Sequence, residues 1–262
     1  MVADRELTEE QKLEKQAEKG NNYGFDEAYA ESWSKMRGNF PTKLANGLIR
    51  YVKENHIGIR SVLDICSGTG EFISIMRNIC ERCVGCDSAD SYINYVKRNY
   101  PEIEVFKVKN FYDFKVKETF DFVSCNQDVV NMFNDFDEWK KFFANCSKII
   151  KKNGYLMFDF YTEKKLKGAN AVIFEEGDEL DYVSKTQDVH GKCVFNEVYY
   201  VKENSIHYHK TKDIMVESYY PTEDILKAVK DAGFEITPID MEFNKVSDIS
   251  NLNRVHLLCK RI

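Results

Sequence analysis

Between residues 61 and 160, short apolar runs alternate with amphipathic stretches. The runs 61–65, 82–87, 103–107, 120–125 and 155–159 are rich in Val, Ile, Phe and Cys and predict strands. The segments at about 71–80, 90–98 and 137–151 carry apolar residues at helical spacing, and the last is stopped by Asn153-Gly154. Strands separated by helices imply an α/β fold: a doubly wound, mostly parallel sheet with right-handed crossovers.

The pattern changes at 172–219. Period-2 alternation at 172–174, 180–187, 193–201 and 206–219, broken by turns at Val189-His190-Gly191 and Glu203-Asn204, predicts an antiparallel meander inserted above the parallel sheet. A helix at 221–232, with Thr222 as its cap and Gly233 as its stop, leads to strands at 234–242 and 254–260 that rejoin the main sheet. At the other end, residues 1–20 read as a polar helix, either a fraying terminus or a lid. Phe25, Tyr29 and Trp33 then form one helical stripe, followed by a helix at 41–55 with Leu44, Leu48, Ile49 and Val52. Both helices are core-facing or close over a ligand. The expected organisation is a helical lid (1–56), a core (57–160 and 221–262) and an antiparallel β insert (161–220).

Candidate chemistry centres on Asp64-Ile65-Cys66-Ser67-Gly68-Thr69-Gly70, where a strand runs into a small-residue turn and then a helix. Such a turn lets backbone approach a nucleotide-like ligand closely. A dinucleotide would want a third glycine opening the helix, and Glu71-Phe72-Ile73 supplies none. The net charge of -6, with lysines scattered among acids, argues against a nucleic-acid partner. No apolar run is long enough for a membrane span. Eight cysteines without a secretory leader fit a reduced, cytoplasmic setting. Cys80, Cys83 and Cys86 have a ligand-like spacing, but the odd separation of Cys83 and Cys86 along one strand points them apart, so no metal is expected.

The turn resembles the first motif of class I S-adenosylmethionine-dependent methyltransferases. Further landmarks fall at that family's spacing: the acid Asp87 ending the second strand, Asn110-Phe111 after the third, Cys125 to Asn131 at the end of the fourth, Ile150 to Gly154 before the fifth, and Ala232-Gly233-Phe234. The resemblance implies a Rossmann-like core and S-adenosylmethionine as cofactor, with S-adenosylhomocysteine as product. It implies cofactor contacts from Tyr29, Trp33, Asp64, Cys66, Ser67, Gly68, Gly70, Phe72, Asp87, Ser88, Asn110, Phe111, Asn126 and Gln127. Asp87 would accept both ribose hydroxyls, Asn110 would meet the adenine edge, and Asp64 would orient the turn and the cofactor's amino group. On the acceptor side, Asp128, Tyr161 and His207 are the expected catalytic groups, and Asn131, Asp159 and Arg254 the expected substrate-binding ones. His207 and His209 are expected to share one strand face.

The insert resembles that of the small-molecule branch, including enzymes that methylate amino-sugar nitrogens. The expected activity is methyl transfer to nitrogen or oxygen of a small polar metabolite, by a monomer or homodimer. A cofactor-binding partner without catalysis and a protein methyltransferase are the alternatives.

Overall fold

The structure, a computed structural model, describes residues 8–19, 26–36, 40–204 and 206–262. Three helices come first: α1 (Glu9–Lys19), α2 (Glu27–Met36) and α3 (Phe40–Glu54). The core then alternates as β1 (Ser61–Ile65), α4 (Glu71–Met76), β2 (Arg82–Asp87), α5 (Asp90–Asn99), β3 (Glu104–Lys107), β4 (Phe120–Cys125), α6 (Phe136–Ile149) and β5 (Ile150–Tyr161). After the short α7 (Glu163–Leu166) come β6 (Asn170–Glu175), β7 (Leu180–Val189), β8 (Lys192–Lys202) and β9 (Tyr208–Ser218). The chain closes with α8 (Thr222–Asp231), β10 (Phe234–Ile239) and β11 (Arg254–Arg261).

The main sheet has seven strands in the order β10-β11-β5-β4-β1-β2-β3. β11 runs antiparallel between β10 and β5, and the remaining pairs are parallel. Side chains alternate across it. Leu63, Ile65, Phe158, Phe160, Leu257 and Cys259 face α6 and α8, where Trp139, Phe142, Phe143, Ile225 and Val229 complete one core. Val62, Phe122, Met157 and Leu258 face the other way, onto Leu44, Leu48, Val52, Ile73, Met76 and Val96 of α3, α4 and α5. The two faces separate the cysteines: Cys86 lies in the first core, Cys80 and Cys83 in the second. They pack as small apolar residues.

Several boundaries differ from expectation. β5 begins at Ile150, which is already extended and pairs with Phe120, so the preceding helix ends at Ile149. A kink follows at Asn153 (φ 65°) and Gly154, where a Cβ would lie 2.7 Å from the Asp121 carbonyl oxygen. α4 stops at Met76 rather than near 80. Thr222 is inside α8 and makes no side-chain cap.

β6 to β9 form a separate four-stranded antiparallel meander. Register puts Ile173, Ser184 and Glu197 opposite one another, with Asp213 beyond, so these share one face with Tyr182, Thr186, Phe195, Tyr199, Met215 and Glu217. The opposite face carries Val194 and Val216, onto which α1 docks with Leu13 and Ala17. Residues 9–19 therefore buttress the insert from outside instead of covering a ligand, and the first seven residues lie outside the described chain.

Candidate active site

At the end of β1 the chain makes a tight turn in which Cys66, Gly68 and Gly70 all have positive φ (58°, 53° and 82°). The turn is held from beneath. Asp87, only 2% exposed, accepts hydrogen bonds from the Gly68 N–H at 2.9 Å, the Ser88 N–H at 2.7 Å and the Ala89 N–H at 3.0 Å. A Cβ on Gly68 would meet nothing within 4 Å, so the backbone there borders open space. Ser67 Oγ and Asn126 Oδ1 are buried with no hydrogen-bond partner among the described residues. Orphaned polar atoms of this kind are costly unless a ligand satisfies them.

The fourth strand ends in a second unusual turn. Gln127 and Asp128, neither a glycine, are both left-handed (φ 68° and 55°). Consecutive strained residues make a concave pair of N–H donors. The fully buried Asp159 fills it, accepting from the Gln127 N–H at 2.5 Å and the Asp128 N–H at 3.2 Å. Arg254 donates to Asp159 at 2.8 Å and to Asp128, while its guanidinium lies 4.1 Å from the centre of the Tyr161 ring. Burial works against this cation, but Asp128 and Asp159 more than offset it and raise its proton affinity.

Between these two turns and the inner face of the meander lies a cavity of about 540 Å³. Its near end is walled by Asp64, Cys66 to Thr69, Glu71 and Phe72; its far end by Tyr182, Ser184, Phe195, Glu197, Met215 and Glu217; Asn126 to Asp128, Tyr161 and Arg254 stand between. Tyr29, Ser34 and Phe40, from α2 and α3, close the side. Tyr29 packs edge-on against Tyr199 at 4.7 Å. Glu197 accepts hydrogen bonds at 2.5 Å from both the Tyr182 and the Tyr199 hydroxyls. Burial, with a smaller push from Asp87, raises Asp64 to about 7 against the Ser124 hydroxyl bond that lowers it.

Residues 63–158 match the family model described as a methyltransferase domain. No curated protein matches this chain in sequence. Among solved structures it is similar to an S-adenosylmethionine-dependent methyltransferase from Clostridium acetobutylicum, with TM-score 0.77, 21% identity, 84% of this chain covered and 91% of that one. It is also similar to an amino pentose methyltransferase from Micromonospora echinaspora, with TM-score 0.72, 16% identity, and 92% and 99% covered. A sugar N-methyltransferase from Streptoalloteichus gives TM-score 0.70, 19% identity, and 87% and 91% covered. The fold is that of class I S-adenosylmethionine-dependent methyltransferases.

The structure brings Tyr29, Asp64, Cys66, Ser67, Gly68, Phe72, Asn126, Gln127, Asp128, Tyr161 and Arg254 to one cavity wall. Gly70 lies just behind it, where a Cβ would come 2.9 Å from Val96 Cγ2. Asp87, Ser88, Asn110 and Phe111 are not on this wall. Asp87 and Ser88 sit under the turn, and Phe111 packs against the α6-side core. The Trp33 side chain lies outside the described residues.

Three acceptor-side expectations are corrected. His207 is exposed at the tip of the β8–β9 hairpin, its Nδ1 3.0 Å from Asn204 Oδ1, because β9 begins only at Tyr208. It shares no strand face with His209, which instead meets Asp26 at 2.5 Å. Asn131 is fully buried, donates to the Tyr161 and Ser218 carbonyls and accepts the Tyr161 N–H, so its amide is consumed in joining β5 to β9. Asp159 lies behind Asp128 rather than on the wall. Conversely, Glu71, Tyr92, Lys165, Tyr182, Phe195, Tyr199, Glu197 and Glu217 line the cavity without having been singled out. For the five on the meander, Tyr182, Phe195, Glu197, Tyr199 and Glu217, the signal was the alternation in 180–218, which marks two faces without saying which one is inward.

Proposed function

We propose that this chain transfers the methyl group of S-adenosylmethionine to a nitrogen or oxygen of a small polar metabolite. The reading is supported chiefly by one observation: a single cavity joins the glycine turn of the methyltransferase domain to a polar, aromatic face of the meander. The residues present fit the cofactor. Open backbone at Gly68 admits a close-lying chain, Ser67 Oγ and Asn126 Oδ1 await hydrogen bonds, and Asp64 presents a carboxyl group to a cationic amino group. When bound, the cofactor supplies an already activated methyl group.

The protein's task is therefore chiefly proximity and orientation. Phe72, Tyr29 and Phe40 exclude water on the cofactor side. Arg254 fixes Asp128 and, through Asp159, the left-handed turn that forms the waist of the cavity. The acceptor enters against the meander face. Walls on three sides favour a metabolite over a protein side chain on an intact surface. Incubation with labelled S-adenosylmethionine and a metabolite extract is expected to label small molecules and release S-adenosylhomocysteine. Label confined to protein or RNA, or binding of S-adenosylhomocysteine without turnover on any acceptor, would overturn this reading.

A further inference from the structure

A strand at the edge of a sheet presents unpaired N–H and C=O groups, which chains protect with charge, proline or a covering segment. Three of the four sheet edges among the described residues are protected in this way. β3 carries Glu104 and Lys107, β10 carries Glu235 and Pro238, and β9 carries Lys210 and Lys212. β6, the remaining edge, runs Asn170-Ala171-Val172-Ile173-Phe174-Glu175, and all six residues are exposed. Val172 is 69% exposed, Ile173 41% and Phe174 63%. Ile173 and Glu175 face the cavity, while Val172 and Phe174 point to the opposite face. There α1 covers Val194 and Val216 but leaves Val172 and Phe174 in solvent.

The flanks of β6 say what pairs with it. Lys164, Lys165 and Lys167 precede the strand, and Glu175, Glu176, Asp178 and Glu179 end or follow it. The segment is positive on entry, apolar in the middle and negative on exit. An antiparallel copy of the same segment reverses that order, so each end meets the opposite charge. Lys167 has a surface pair with Glu163 at 2.7 Å, which costs little to exchange. Two-fold symmetry also selects a register, because opposed residues in an antiparallel pair share one face. Centring on Ile173 sets Val172 against the second copy's Phe174 twice over. Centring one residue earlier sets Phe174 against Asn170, and one residue later sets Ile173 against Glu175.

We propose that β6 pairs antiparallel with β6 of a second copy of this chain, centred on Ile173, and joins the two meanders into one sheet. Both cavities then lie on the same side of that sheet. The second copy's Ile173 lies beside the Ile173 that lines the cavity. A foreign strand would find the same free edge but not this match of charge and side chains.

The test is sedimentation equilibrium of the full-length chain at micromolar concentration, which is expected to give twice the chain mass. Phe174→Lys is expected to weaken association about tenfold or more, with circular dichroism to check that it folds. Ile173→Cys reads the register. Mild oxidation with copper(II) phenanthroline, which takes two electrons as the paired thiols lose two protons, is expected to link two chains by a disulfide. Lys185→Cys, one strand inward, is expected to stay unlinked under the same treatment. The cross-linking comparison stands even if Phe174→Lys folds poorly. A monomer at every concentration, open-ended higher oligomers, or full association of a folded Phe174→Lys chain overturns the proposal. So does cross-linking at Lys185→Cys equal to that at Ile173→Cys.

Discussion

Asp64 is 5% exposed and faces the cavity with a 2.6 Å hydrogen bond from the Ser124 hydroxyl. Its proton affinity is raised to about 7, so the native chain holds that proton more tightly than the unfolded chain does. The sign follows: the empty protein loses stability as pH rises from the ordinary carboxylate value towards 7. A ligand ammonium needs the ionised form, so affinity moves the opposite way. S-adenosylhomocysteine is expected to bind about tenfold more tightly near pH 7.5 than near pH 5.5, and calorimetry at the two values checks this. Asp64→Asn should bind weakly and without that pH dependence. Asp159 has a different task, since it touches only the chain. Removing it leaves Arg254 with Asp128 alone and takes the acceptor from two strained N–H groups. Asp159→Ala is expected to cost about 3–5 kcal/mol, the range for breaking a buried pair, as measured by denaturant unfolding.

Helix α2 bridges the two sheets. At its start Asp26 accepts the Tyr29 N–H at 2.8 Å and pairs with His209 of β9, which ties the helix to the meander. Further along, Ser34 donates to Glu71 of α4, and Arg98 of α5 meets Glu31 at 2.7 Å, tying it to the core. Tyr29 and Ala30 are thereby pressed onto Tyr92, Leu180 and Tyr199. Asp26→Ala removes the cap and the anchor together. The lost cap alone is worth about 1 kcal/mol, readable as a lower melting temperature. S-adenosylhomocysteine affinity should fall with it, because Tyr29 and Ser34 form a side of the cavity. Unchanged affinity would show that α2 is only a strut.

In the molecule as a whole the meander has two jobs on two faces, with the cavity on one and α1 on the other. Ala17 is 6% exposed against Val194 and Val216. Ala17→Asp buries an unpaired charge and is expected to destabilise by about 2 kcal/mol or more, while leaving cofactor affinity unchanged because that face never meets the cavity. The parallel core and the glycine turn were legible in the chain because both are local: period and turn chemistry are read within a few residues. The histidine at 207 misled because strand ends are set by hairpin pairing, and here Asn204 accepts the Ile206 and His207 N–H groups at 3.1 Å before the strand begins. Glu197 and Glu217 were invisible as site residues because apolar residues stand on both faces of their strands, Cys193 and Val194 in β8 and Met215 and Val216 in β9, so the pattern does not distinguish the inward face. By itself, then, the sequence determined an α/β core, an antiparallel insert and a close-approach turn, all encoded in short-range patterns. Only the tertiary structure decided which insert face looks onto that turn, that Asp159 and Arg254 serve the waist from behind, and that carboxylates from separate strands meet at the far end of the cavity. Those facts depend on register and docking between segments far apart in the chain, where no local pattern reaches.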